Sequence, residues 1–352
     1  MRIRIDGRIL TTEQVRAIAG ISRDFARGTA DITDRQNIQL HWVEIENVPE
    51  IWRRLDEVGL DSVEACGDTP PRGFLGSPVA GVAANEIIDT APVADEIKRR
   101  FLGNPKYSNL PRKFKTAITG HPQPRCRARD QRHLPGRRPP PPTWAPGYDL
   151  WVGGGGLSTT PAAGRADRRL RLRGRRRRRL GRRHLDLPRL RLPQAAHQGP
   201  AQVPARRMGG VDKFRQVLED EYLAASCPTV PPRPPDPSAG PYDHVGIHDQ
   251  KDGRKYVGFA PTVGRVSGDV LFQVAEHAEA AGSKRVALTP HQKILVLDVD
   301  EAAVDSLVRE LGGARPAGQS QPVPSRHDGL HRHRVLQVGL RGDQGAGRAY
   351  GR

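Results

Sequence analysis

Residues 32–42 read ITDRQNIQLHW, and this stretch shows how the chain is built. From Asn37 onward its side chains alternate between an apolar and a polar face, formed by Ile38, Leu40 and Trp42 and by Gln39 and His41. Such alternation predicts a strand with one buried face. The polar face presents an amide and an imidazole, and the guanidinium of Arg35 lies where the strand begins. A solvated surface and a binding role are both open for this face.

A second copy of the pattern follows 256 residues later, at Thr289–Leu297. Similar residues recur at this shift in eight pairs: Thr33/Thr289, Gln36/Gln292, Ile38/Ile294, Leu40/Val296, Val43/Val299, Val48/Val304, Ile51/Leu307 and Leu55/Leu311. Gly7-Arg8-Ile9 and Gly264-Arg265-Val266 match at a shift of 257. The repeat predicts a duplicated half-domain of β-α-β-β-α type. Because the second copy has Leu295 and Leu297 where the first has Gln39 and His41, the polar face departs from the shared scaffold.

Local signals predict helices and strands around the two copies. Thr11-Thr12-Glu13-Gln14 has the residues of a capping box at the start of a helix. Further helices are predicted at Val48–Val58, Ala91–Leu102, Val211–Leu223, Val270–Ala280 and Ala302–Leu311. Short strands are predicted at Arg2–Ile5, Leu110–Thr116 and Tyr256–Ala260. Residues 66–82 and 228–241 are rich in Gly or Pro and predict a loop and a linker.

The positive charge of the chain is concentrated in three windows. The 352 residues carry a net charge of +18. Residues 123–145, 161–208 and 313–352 carry net charges of +5, +14 and +5, with Arg and without a single Lys as the source of positive charge, which leaves −6 for the remainder. Nucleic-acid-binding arms usually mix Lys with Arg, since either neutralises phosphate. Arg and Pro without Lys is what GC-rich coding DNA yields in the wrong reading frame. We therefore predict that these windows are out-of-frame sequence and form unpacked coil.

Cysteine usage and hydropathy exclude several classes of protein. Cys66, Cys126 and Cys227 show no paired spacing, which argues against a disulfide framework and a closed zinc site. Without a signal peptide or a long apolar run, we expect a cytoplasmic protein that does not contact membranes. The overall charge permits an alternative, a basic nucleic-acid-binding protein that uses residues 165–183. That alternative lacks aromatic residues among the arginines and ignores the negative charge of the remainder.

Six stretches together resemble the sirohaem and iron–sulfur nitrite/sulfite reductases in their ferredoxin-dependent bacterial form: ITDRQNIQLHW, GDTPPRGFLGSPVAGV, NLPRKFKTAITGHP, GYDLWVGGGGLST, KFRQVLEDEYL and residues 244–312. The resemblance implies an α+β fold in which duplicated ferredoxin-like half-domains flank a sirohaem-binding α/β region. It implies sirohaem and a [4Fe–4S] cluster as cofactors, ferredoxin as electron donor, and a monomer. The implied reaction is the six-electron reduction of sulfite to sulfide or of nitrite to ammonia.

The same resemblance assigns roles to particular residues. Small anions need fixed cations and proton donors, and the sirohaem carboxylates need Arg and Lys. The motif match assigns the catalytic anion site to Arg2, Arg72, Lys113 and Lys115. It assigns sirohaem contacts to Arg35, Gln39, His41, Arg112, Gly153, Gly154 and Gly155. No metal-ligating residue is predicted. The alternatives are a solvated face for the cations, a packing role for His41 and a flexible loop for the glycines.

The resemblance also divides the chain into eight segments. They are a first half-domain (1–65), the start of the sirohaem domain (66–122), out-of-frame coil (123–145), a sirohaem-domain fragment (146–160), Arg-rich coil (161–208), a helix with a Pro-rich linker (209–241), a second half-domain (242–312) and an out-of-frame tail (313–352). The cluster cysteines of the family follow the position of Leu311, where this chain has none. Arg326–Gln337, written in permitted codons and read one nucleotide later, regains two cysteines separated by five residues. We therefore expect no catalytic activity from the chain itself.

Overall fold

The computed structural model describes residues 1–5, 7, 9–65, 75–105, 116–121, 147–150, 169–173, 211–217, 219–220, 229–230 and 244–312. The first half-domain has the predicted β-α-β-β-α order with one further strand, β2, before its first helix: β1 (Arg2–Ile3), β2 (Leu10–Thr11), α1 (Thr12–Phe25), β3 (Thr29–Ile32), β4 (Ile38–Gln39) and α2 (Val48–Glu57). The capping box at α1 is confirmed. Thr11 Oγ1 accepts a hydrogen bond from the Gln14 amide at 3.1 Å, and Gln14 Oε1 accepts one from the Thr11 amide at 3.0 Å.

The middle of the chain contributes short elements: α3 (Ala91–Phe101), β5 (Gly147–Leu150), β6 (Arg169–Arg173), α4 (Val211–Val217) and β7 (Thr229–Val230). β6 lies between β5 and β7 and pairs antiparallel with both. The prediction of coil for 161–208 is therefore wrong at Arg169–Arg173, because RLRLR alternates with the period of a strand and finds partners on both edges. The predicted linker likewise contains the two strand residues of β7.

The second half-domain repeats the first with one added strand. Its elements are β8 (Gly246–Asp249), β9 (Lys255–Phe259), β10 (Arg265–Ser267), α5 (Gly268–Ala280), β11 (Arg285–Leu288), β12 (Ile294–Val299) and α6 (Val304–Gly312). Ser267 caps α5 as Thr11 caps α1, since its Oγ accepts a hydrogen bond from the Val270 amide at 3.1 Å. None of the helices in the described ranges is both long enough and apolar enough to span a bilayer.

Each half-domain donates one strand to the sheet of the other. One sheet has the order β1-β4-β3-β10, and the other has the order β2-β11-β12-β9-β8. Val266 of β10 pairs with Ala30, and Leu10 of β2 pairs with Val286, which is the same pairing shifted by 256. The sequence repeat predicts the two copies but does not show this exchange, because nothing in the periodicity states which sheet a strand joins.

A single hydrophobic core joins the two copies. α1 packs against α5, and buried residues from both halves form one continuous cluster, including Ile18, Ile21, Ile32, Ile38, Val274, Leu288, Ile294 and Leu307. The helices approach closely at Gly268, where an added Cβ would lie 2.8 Å from the Ala19 carbonyl oxygen. The core therefore depends on both copies, which fixes the relation of their sheet faces.

The two turns that begin the repeated strands hold each other through a reciprocal pair of glutamines. Gln36 Nε2 donates to the Leu288 carbonyl at 2.7 Å, and Gln292 Nε2 donates to the Ile32 carbonyl at 2.9 Å. Both glutamines adopt a left-handed backbone, with φ of 58° and 60°. An added Cβ at Gly7 would lie 2.7 Å from Gln36 Oε1, and one at Gly264 would lie 2.8 Å from Gln292 Nε2. These contacts explain why Gly and Gln recur in both copies.

Trp42 departs from the predicted strand. Regular pairing in β4 ends at Gln39, and Trp42 has φ of 61° and is 66% exposed rather than buried beside Ile38. Its counterpart Asp298 has φ of 56° and lies where the register of β12 shifts. The prediction placed Trp42 on the buried face, and it is wrong because a left-handed residue interrupts the alternation of side chains.

Candidate functional site

The same sheet face is covered in the second half-domain and polar in the first. In the second copy Ala287, Leu295 and Leu297 are buried in a small cluster with Tyr256. Val79, Val82 and Ala83 cover this cluster, and Ile9 packs at its side. An apolar face covered by a loop is an ordinary structural layer. The first copy carries a different set of side chains at the matching positions.

Five side chains form a polar row on the face of the first copy: Arg2, Gln39, His41, Asp31 and Arg265. Arg2 Nη2 donates to Gln39 Oε1 at 2.7 Å. Gln39 Nε2 lies 3.3 Å from His41 Nε2, and that nitrogen lies 2.8 Å from Asp31 Oδ2. Arg265 Nε donates to Asp31 Oδ1 at 2.9 Å. The row therefore begins and ends with a guanidinium.

Strand register brings the members of the polar row together. Gln39 is the partner of Arg2 across β1 and β4 and of Asp31 across β3 and β4. Arg265 is the partner of Asp31 across β3 and β10. Thus the second half-domain supplies the last residue of the row through its exchanged strand. At a shift of 256 the counterparts are all apolar or lack a side chain: Gly258, Leu295, Leu297, Ala287 and Ile9.

Charges in the polar row are only partly balanced within the described part of the chain. Burial raises the pKa of Asp31, but the hydrogen bond and charge of Arg265 and the charge of His41 outweigh it, so the net pKa lies below its ordinary value. At the other end of the polar row, the charge of Arg2 is not balanced in this way. Arg2 Nε is buried, and no residue of the described ranges accepts its hydrogen bond. A buried donor on a guanidinium favours an anionic acceptor at this position.

Two further arginines lie near the start of the strands. Arg35 is only 5% exposed, at the turn whose Thr33 amide donates to the Asn37 carbonyl at 2.8 Å. Arg4 is fully buried, and its Nη1 donates to the Val63 carbonyl at 3.1 Å. The signal for Arg4 was available in the sequence, because it is two residues from Arg2 in an extended segment.

The structure brings some of the predicted site residues together and leaves others untested. Arg2, Gln39 and His41 lie in one hydrogen-bonded row, whereas Arg35 is buried at the adjoining turn. The remaining predicted residues lie outside the described ranges: Arg72, Arg112, Lys113, Lys115, Gly153, Gly154 and Gly155. Sequence reasoning missed Asp31 and Arg265, because their roles follow from pairing between strands of different half-domains. No group of three or more His, Cys, Asp or Glu side chains in the described ranges is arranged to hold a metal ion.

Paired half-domains with exchanged strands and a cationic face define a class of α+β protein built by duplication. A family profile described as the nitrite/sulfite reductase ferredoxin-like half domain matches residues 1–58 and 248–314. A second profile, described as the nitrite and sulphite reductase 4Fe-4S domain, matches residues 67–172. The chain belongs to the nitrite/sulfite reductase family. This confirms the predicted α+β fold with duplicated ferredoxin-like half-domains, and it carries the expectation of sirohaem and a [4Fe–4S] cluster as cofactors.

Known relatives agree with this family. The chain is 44% identical over 338 residues to sulfite reductase (ferredoxin) 2 of Mycolicibacterium paratuberculosis, covering 92% of this chain and 56% of the relative. It is 33% identical over 351 residues to an assimilatory ferredoxin-dependent nitrite reductase of Haloferax mediterranei, covering 88% and 56%. It is similar to the solved structure of the Mycobacterium tuberculosis NirA protein, with a TM-score of 0.73, 40% identity, and coverage of 88% and 56%. The chain spans little more than half the length of these relatives.

Proposed function

We propose that the polar row is part of a sirohaem-binding face on the sheet of the first half-domain, to which the second half-domain contributes Arg265. The reaction of the whole protein would be the six-electron reduction of sulfite to sulfide or of nitrite to ammonia, with ferredoxin as the electron donor. The names of relatives from both substrate classes support this proposal. A site of fixed cations suits sulfite and nitrite alike, so the proposal includes both substrates.

One observation carries the assignment. The two copies share their backbone register, and the same face is apolar and covered in one copy but polar in the other. A scaffold alone does not require Arg2, Gln39 and His41, because Gly258, Leu295 and Leu297 serve at the matching positions. Sirohaem carries eight carboxylates by family expectation, and guanidinium, amide and imidazole groups are suitable partners for them.

The residues present fit the two expected cofactors unequally. The buried Nε of Arg2, at the unbalanced end of the polar row, fits a carboxylate of sirohaem. A [4Fe–4S] cluster is held by four cysteine thiolates, whereas the chain has three cysteines, none of which lies in the described ranges. The cysteines present therefore do not fit the cluster, and we expect that this chain alone does not catalyse the reduction.

The chain's own residues would bind and orient the macrocycle. Arg2 donates from Nη2 to Gln39 and has Nε left to donate to a carboxylate. That bond turns the amide of Gln39, so its Nε2 faces His41. Sirohaem, when bound, would supply the iron on which the anion is reduced. The predicted anion-site residues Arg72, Lys113 and Lys115 remain proposals, whereas Arg2, predicted for the same anion site, is proposed here to hold a sirohaem carboxylate.

Titration with sirohaem tests the proposed face. We expect the purified chain to show no Soret band as isolated and no reduction of sulfite with reduced methyl viologen. Added sirohaem should bind reversibly, with a shift of its absorbance and an affinity that falls with salt. Arg2→Gly, which copies Gly258, should weaken binding about tenfold, because it removes a charge-assisted hydrogen bond.

A matched control separates the face from general charge. Arg16 pairs with Glu279 at the surface between α1 and α5, away from the polar row. Arg16→Ala removes one positive charge and should leave the affinity unchanged. Equal weakening by both variants, or no binding by the folded wild-type chain, would contradict the proposal.

A further inference from the structure

His41 receives two incompatible contacts at the same ring nitrogen. Its Nε2 lies 3.3 Å from Gln39 Nε2 and 2.8 Å from Asp31 Oδ2. An amide nitrogen only donates and an ionised carboxylate only accepts, whereas Nε2 of a neutral ring either carries a hydrogen or does not. Only one of the two contacts can therefore be a hydrogen bond while the ring is neutral.

Arg2 fixes the orientation of the Gln39 amide. A guanidinium has donors and no acceptor, so the atom 2.7 Å from Arg2 Nη2 must be the amide oxygen. Turning the amide over would place two donors against each other at Arg2. The amide nitrogen of Gln39 therefore stays directed at His41.

Asp31 is the stronger of the two partners of His41. Its contact is the shorter one, and a hydrogen bond to a charged acceptor is roughly twice as strong as one between neutral groups. Arg265 Nε keeps the carboxylate in place at 2.9 Å, and the pKa of Asp31 is lowered. The charged groups that bear on the ring are thus Asp31 from β3 and, through their hydrogen-bond partners, Arg265 from β10 and Arg2 from β1.

We propose that Asp31, held by Arg265 of the second half-domain, is a positioning residue that keeps the hydrogen of neutral His41 on Nε2 and leaves Nδ1 as the acceptor for a ligand. No residue in the described ranges hydrogen-bonds Nδ1. The inference rests on the proposed function for the identity of the ligand. Such an acceptor suits a ligand group that donates a hydrogen bond, including a carboxyl group that carries its proton.

The position of the hydrogen can be read directly by NMR. The full chain, labelled with nitrogen-15 in histidine, gives long-range proton–nitrogen correlations that distinguish the two neutral tautomers, and His41→Gln identifies the signals. At a pH where the ring is neutral, we expect the wild-type hydrogen on Nε2. Asp31→Ala, which copies Ala287, should move it to Nδ1, because Gln39 is then the one hydrogen-bond partner of Nε2 within the described ranges.

Two variants keep the test decisive. Gln39→Leu removes the competing donor and should leave the hydrogen on Nε2. Arg265→Ile, which copies Ile9, releases the carboxylate and should shift part of the population to the Nδ1 tautomer, so it serves as the test if Asp31→Ala does not fold. A wild-type hydrogen on Nδ1, or no change in Asp31→Ala and Arg265→Ile, would overturn the inference. Failure of sirohaem to bind would leave these spectra unaffected and would count against the proposed function alone.

Discussion

The two half-domains have the same strand register and opposite faces. β1 pairs with β4 as β9 pairs with β12, and the exchanged strands obey the same shift of 256. Yet the face of the second copy is covered by Val79, Val82 and Ala83, while that of the first carries the polar row. The backbone is thus conserved within one chain while the surface chemistry changes. Such a pair separates what the fold requires from what a ligand would require.

The largest effect is expected where the second copy has no room for a side chain. An added Cβ at Gly258 would lie 1.7 Å from the His244 carbonyl oxygen, whereas the matching position holds Arg2. Gly258→Ala should therefore lower the free energy of unfolding by about 3 kcal/mol or more, since backbone must move. Denaturant unfolding measures this loss. Arg2→Ala should cost only about 1 kcal/mol, the value of one hydrogen bond.

Equal losses in those two variants would show that the copies are packed alike. The two faces would then differ only in the chemistry of their side chains. A small loss in Gly258→Ala with a large one in Arg2→Ala would reverse the roles assigned to the two faces.

The reciprocal glutamines should differ in strength. Gln36 is fully buried, donates to the Leu288 carbonyl and accepts from the Gly76 amide at 3.0 Å. Gln292 is partly exposed and donates to the Ile32 carbonyl. Gln36→Ala should cost about 3 kcal/mol and Gln292→Ala about 1 kcal/mol, because a buried unpaired group costs more than an exposed one. Thermal or denaturant unfolding of both variants checks the order, and a larger loss in Gln292→Ala would contradict it.

The sequence predicted the duplication because Thr33, Gln36 and Ile38 recur at a fixed spacing. It predicted helix α1 from the capping residues. It predicted that Gln39 and His41 form a polar face, because the second copy is apolar at the matching positions. It could not predict the exchange of β2 and β10, since periodicity describes a strand's faces and not its neighbours. Asp31 and Arg265 were missed for the same reason. Trp42 was misplaced because a left-handed backbone leaves no mark in an alternating pattern.

The two copies should also respond differently to acid. Burial raises the pKa of Asp298, but hydrogen bonds from Arg285 and Gln250 outweigh it, and the net pKa is lowered, as for Asp31. A carboxyl group whose pKa is lower in the folded than in the unfolded chain stabilises the fold fully above its unfolded-state pKa, which is about 4. This stabilisation is lost as the pH falls through the folded-state pKa. Asp298 is 6% exposed, so we expect the larger loss of stability there. Asp31 pairs with a largely exposed Arg265, so its loss should be under about 1 kcal/mol.

Unfolding measured between neutral pH and the acid range tests this difference. Asp298→Asn should flatten the loss of stability below pH 4 more than Asp31→Asn does. A steeper dependence in Asp298→Asn than in the wild type would show that the carboxylate is destabilising in the folded chain.

The smallest change in stability is expected where the first copy is made to match the second. Gln39→Leu gives position 39 the residue that the second copy has at the matching position, Leu295. It also removes the hydrogen bond that Arg2 donates to Gln39. Loss of one partly exposed hydrogen bond and gain of apolar contact nearly cancel, so the free energy of unfolding should stay within about 0.5 kcal/mol. Sirohaem affinity should nevertheless fall, because Arg2 loses the group that orients it. A change in stability above about 1 kcal/mol would mean that the polar row holds the fold together, and a retained affinity would mean that the row is not a binding face.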